Sequence, residues 1–90
     1  METNKNEDIK IYSWMPQEGL SGNALIIYAY VYGVGEYSGG YRHLANFTGM
    51  SITSVMRLVT NMVKQGYLTK DMEEINNTKI PHIKAVRRES

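Results

Sequence analysis

The 90-residue chain contains no cysteine, which excludes disulfides and thiolate metal sites outright. No apolar run approaches the ~20 residues that a membrane-spanning helix needs, and the amino terminus is polar and charged, unlike a signal peptide. A cytoplasmic location without membrane contact is therefore expected. Histidine is scarce: His43 and His82 fall on separate elements, with no HxxxH or HExxH spacing. Asp71, Glu73 and Glu74 cluster in sequence, but nothing like a calcium loop surrounds them, and a charged turn explains them better. Ser21, Ser51 and Ser54 lie where helix caps or helix surfaces would place them, with no base nearby in sequence. No nucleophile, base or metal constellation emerges, so no enzyme, metal or cofactor is expected. The length allows one domain with one modest core.

Acidic residues are also missing from two whole stretches. Residues 37–70 carry Arg42, Arg57, Lys64 and Lys70 with no acid, and residues 75–88 carry Lys79, Lys84, Arg87 and Arg88 with none. Five acids precede the first stretch, and Asp71, Glu73 and Glu74 separate the two. A net charge of +1 thus conceals two purely basic blocks, which is what a local anion-binding face requires. The plainer alternative is a solvated surface with chance clustering.

In chain order, residues 1–8 are polar and expected to be disordered. Ile9, Ile11 and Ser13 alternate with Lys10 and Tyr12, which predicts a short strand ending before Pro16. Ser21 is a good cap for a helix over about 22–32, with Leu20 and Leu25 placed for a hydrophobic staple. No charge occurs between Ala24 and Gly35. Leu25, Tyr28, Ala29 and Tyr32 form one apolar face and Ile27, Val31 and Val34 another, so most sides of this helix must be covered. The Trp14 segment or a second protomer would cover the second face. The following glycine-rich loop contains a GxG, but it follows a helix and its last glycine pair is wrongly spaced for a dinucleotide fingerprint. It reads as a flexible connection, with Ser38 as the cap of the next helix.

The central stretch runs from Tyr41 to Lys70. Leu44 and Ala45 mark a short helix, Gly49 a sharp turn, and Ser51 the cap of a second helix carrying Val55, Val59, Met62 and Val63 at helical spacing. Gly66 ends that helix, and Tyr67 to Lys70 starts an extended run. Asn76-Asn77 suits a two-residue hairpin turn, which sets Leu68 opposite Ala85, Asp71 opposite His82 and Glu74 opposite Lys79. Pro81 then belongs at an edge or bulge.

The spacing from Leu44 through Gly49 to Val55, Val59 and Leu68 resembles the winged helix-turn-helix family of DNA-binding domains. Within it, phage replisome organisers and the amino-terminal domain of DnaD-type primosome proteins are the most similar. Ile11-Tyr-Ser-Trp-Met and Gly19-Leu-Ser-Gly-Asn-Ala-Leu extend the resemblance upstream. The expected fold is a small α+β winged helix, three helices with a two- or three-stranded antiparallel wing, over residues 9–86, followed by a basic tail at 87–90.

The resemblance implies double-stranded DNA as partner, and a role in phage or bacterial replication initiation or in transcriptional regulation. It also implies a possible homodimer or higher oligomer and contacts with replication proteins. Ser51, Ile52, Thr53, Met56, Arg57, Thr60 and Lys64 are the candidate contacts on the second helix, with Arg42 on the first and Lys79, Lys84, Arg87 and Arg88 behind the turn. Arg57 suits either a guanine or a phosphate. Two features pull the other way: Ile52 and Met56 make an apolar ridge, and Asp-Met-Glu-Glu would repel phosphate. The alternative function is a protein-binding or oligomerisation module that uses the apolar first helix and this ridge.

Overall fold

The computed structural model describes residues 9–87; the expected amino-terminal tail at 1–8 and Arg88 lie outside the described residues. After a single 3₁₀ turn at Pro16–Glu18, the elements are α1 (Gly22–Val34), β1 (Glu36–Tyr37), α2 (Tyr41–Thr48), α3 (Ile52–Lys64), β2 (Leu68–Ile75) and β3 (Thr78–Ala85). The three strands form one antiparallel sheet in the order β1-β3-β2. Three helices packed with a three-stranded sheet make this a small α+β winged helix.

The charge-free α1 is the centre of the molecule and packs against α2, α3, β1 and β3. Ile27, Tyr28, Ala29 and Val31 are buried, whereas Val34, expected on the second apolar face, is half exposed near the helix end. Ser21 occupies the cap position with extended backbone angles, but its side chain makes no capping bond. Leu20 beside it is buried.

The segment before Pro16 is not a strand. Met15 donates its backbone N–H to the Tyr12 carbonyl, closing a turn, and Met15 is itself fully buried. Trp14 meets the rings of Tyr28 and Tyr32 edge-on at 6.0 and 5.3 Å, and Tyr12 meets Tyr32 at 5.7 Å. These aromatic contacts override the short alternation of Ile9 to Ser13. They cover the face of α1 that carries Tyr28 and Tyr32, not the Ile27–Val31 face expected to meet the Trp14 segment; Ile27 and Val31 are buried in the core.

The third strand comes from the loop expected to be a flexible connection. Glu36 and Tyr37 pair with Lys84 and Ile83, which puts β3 in the middle of the sheet. Tyr37 is buried, and its hydroxyl donates to the Gly40 carbonyl at 2.6 Å. Its ring lies where a side chain at Gly39 would have to be, since a Cβ there would come within 2.8 Å of the Tyr37 hydroxyl. Gly40, not Ser38, precedes α2 as its cap residue, and no side chain caps that helix.

The hairpin has the expected register throughout, from Leu68 opposite Ala85 to Ile75 opposite Thr78. Asn76 and Asn77 both take positive φ, +50° and +66°, as a primed two-residue turn requires. Pro81 lies beyond the reach of β1, so on that side its missing N–H costs no ladder bond. Three long-range hydrogen bonds tie the ends together. Tyr28 donates its hydroxyl to the Val86 carbonyl, Val86 donates its N–H to the Tyr67 carbonyl, and Tyr67 donates its hydroxyl to the Glu18 carbonyl.

Candidate nucleic-acid interface

The α2–turn–α3 unit is held by a dense set of local bonds. Thr48 donates its hydroxyl to the Leu44 carbonyl at 2.8 Å and accepts from the Met50 N–H at 3.3 Å. Gly49 ends α2 at φ +80°, in the left-handed region, and returns its N–H to Ala45. Ser51 then caps α3 by accepting the Ser54 N–H at 3.1 Å. Val55, Val59 and Met62 anchor α3 in the core beside Leu44 and Ala45 of α2. The helix is thereby fixed in direction and in rotation about its own axis.

That rotation decides what α3 presents. Thr53, Arg57, Thr60 and Lys64 are all exposed and recur at i, i+4, i+7 and i+11, a single line along the outward side. Ile52 (37% exposed) and Met56 (47% exposed) form a second row on the shoulder between that line and the core. Neither α2 nor α3 contains an acid, and no carboxylate pairs with Arg57 or Lys64 among the described residues. Arg42 is exposed on the first turn of α2.

The remaining expected contacts lie on the hairpin and just after it. Lys79 is exposed at the hairpin tip, opposite Glu74. Lys84 is exposed on the sheet face turned away from the buried Ile83, paired in register with Thr69 and Glu36. Arg87 holds its guanidinium 4.5 Å above the Trp14 ring, which gives it a structural contact within the chain.

One acid of the hairpin, Glu73, and Glu36 of β1 share a partner. His82 Nδ1 lies 2.9 Å from a Glu36 carboxylate oxygen and Nε2 lies 2.5 Å from one of Glu73, so one ring links all three strands. Both nitrogens donate only when the ring carries two protons, and then its charge offsets part of the two carboxylates. Glu74 faces Lys79.

Two participants are absent from the sequence-derived set. Lys70 is exposed on the sheet face shared with Ile83, its ammonium 5.6 Å from the centre of the Tyr41 ring at the start of α2. Its membership of the first acid-free block was the available signal. His82 as the clamp between two carboxylates is the other; the hairpin register brings it near Glu73, while the contribution of Glu36 has no sequence signature.

The geometry defines a class: a winged helix whose second helix of the pair presents a polar, basic line to solvent. A family model for a helix-turn-helix domain matches residues 18–68, from the turn before α1 to the first residue of β2. The chain belongs to that helix-turn-helix domain family. Among curated proteins and solved structures, no significant match to the chain is found. Among the described residues, no helix is long and apolar enough to cross a membrane.

Proposed function

We propose that the chain binds double-stranded DNA by laying α3 in the major groove. The observation that carries this reading is the outward line of Thr53, Arg57, Thr60 and Lys64 on a rigidly held helix, in a region with no acid from 37 to 70. An α-helix fits the major groove of B-form DNA, and the residues near its amino terminus reach base edges. Arg57 donates to guanine or to phosphate, Thr53 and Thr60 bond bases or backbone, and Lys64 touches phosphate. Arg42 and Lys70 flank the helix and extend the basic surface. Lys79 at the hairpin tip approaches the neighbouring backbone.

The role assigned is replication initiation in a phage or bacterium, supported by the resemblance of residues 9–86 to phage replisome organisers and DnaD amino-terminal domains. Transcriptional regulation uses the same module and is the close variant. A titration of a fluorescent random-sequence duplex at two salt concentrations tests the DNA reading, because binding through phosphates weakens steeply as salt rises. Binding indifferent to salt would favour the second reading, a protein contact through the exposed Ile52 and Met56.

A further inference from the structure

The row formed by Ile52 and Met56 has no role in a purely electrostatic contact. These side chains stay exposed although the core lies directly beside them, and they sit in the first half of α3, the half that reaches base edges. Thr53 adds a further methyl group to the same half. The polar donors there are few: Arg57 and the hydroxyls of Thr53 and Ser54, with the Ser51 hydroxyl bonded to that of Ser54. Asparagine and glutamine, the residues that grip adenine with two bonds, do not occur between Ser51 and Thr60.

One base edge in the major groove offers an apolar group to such a surface, the C5-methyl of thymine. Resting on the DNA reading above, we infer that Ile52 and Met56 make α3 select sites by contact with thymine methyl groups, while Arg57 and Lys64 hold the strand. The occupant of the row is DNA rather than a protein because cations border it, Arg57 one residue from Met56 and Lys64 further along the helix, with no acid on either helix of the pair. Burial of one methyl group against an apolar side chain corresponds to about fourfold in affinity, or about 0.8 kcal/mol.

The test uses the full chain and a duplex enriched from a random pool by rounds of binding. Each thymine is replaced in turn by uracil, which keeps every hydrogen-bonding group and removes only the methyl. One or two positions should weaken binding about fourfold. Met56→Ala and Ile52→Ala should bind the thymine and uracil forms alike, with unchanged melting temperature, and Met56→Leu should restore the difference. Equal binding of thymine and uracil duplexes by the unaltered chain overturns the inference and leaves the DNA reading standing. Failure to enrich or bind any duplex overturns both.

Discussion

Replacing Arg57 by alanine probes the outward line of α3 directly. The side chain is exposed and has no ion-pair partner among the described residues, so its loss should move stability by no more than about 0.5 kcal/mol. Its effect on DNA is larger and depends on what it touches. If Arg42, Arg57, Lys64 and Lys70 each neutralise one phosphate, the slope of log affinity against log salt is about −3.6. Raising salt from about 50 to about 200 mM then weakens binding about 150-fold. Removing one of the four lowers the slope to about −2.7, and the same salt change costs only about 40-fold. If Arg57 instead grips guanine, the loss is about 1–3 kcal/mol at every salt concentration, with relaxed preference at one base pair. Fluorescence anisotropy on Arg57→Ala and Lys64→Ala, at several salt concentrations, separates the cases. An unaltered affinity and an unaltered slope for both variants, with the helical signal intact, would refute α3 as the reading head.

Val55→Asp and Val59→Asp should each unfold the domain, seen as loss of the circular dichroism melt, because an unpaired buried carboxylate costs several kcal/mol against a stability of about 5. Gly49→Ala forces a side chain into the left-handed region and should lower stability by about 1–2 kcal/mol, read as a fall of several degrees in Tm. Ser51→Ala deletes the cap of α3 and should cost about 1 kcal/mol in denaturant unfolding. Arg87→Ala removes the cation above Trp14 and should change the tryptophan fluorescence, with a stability loss of about 0.5–1 kcal/mol.

Elements whose signals are local were legible in the sequence. The pair of helices follows from Gly49, the Ser51 cap and the 3.6-residue period of Val55, Val59 and Met62, each of which acts within a few residues. The hairpin register follows from Asn76-Asn77, because a two-residue turn leaves no freedom in the pairing. The residues exposed on α3 follow from the same period that buries the others. What was not legible depends on distant partners. The alternation of Ile9 to Ser13 is that of a strand, yet Trp14 and Tyr12 are drawn onto Tyr28 and Tyr32, and the β3 edge is taken by Glu36 and Tyr37. A two-residue strand between glycines carries no periodicity at all. Ser38 has a cap's chemistry, but Tyr37 folds back onto Gly39 and Gly40 and starts α2 there. The engagement of Glu36 and Glu73 by His82 likewise appears only once three strands are side by side.

The bond from the Tyr28 hydroxyl to the Val86 carbonyl spans 58 residues and has a consequence for the order of folding. The two helices of the reading unit close through local contacts and can form early. The environment of α1 is different, because Ile83 and Val86 are needed to finish it and Val86 lies 58 residues beyond Tyr28 in the chain. Until both dock, the least polar helix in the chain has one side unprotected from solvent. A chain interrupted anywhere before Ile83 therefore retains every residue of the outward line on α3 but not the support behind it. Such fragments should be prone to aggregate and to proteolysis, and the outward line of α3 becomes dependable only once Ile83 and Val86 are in place.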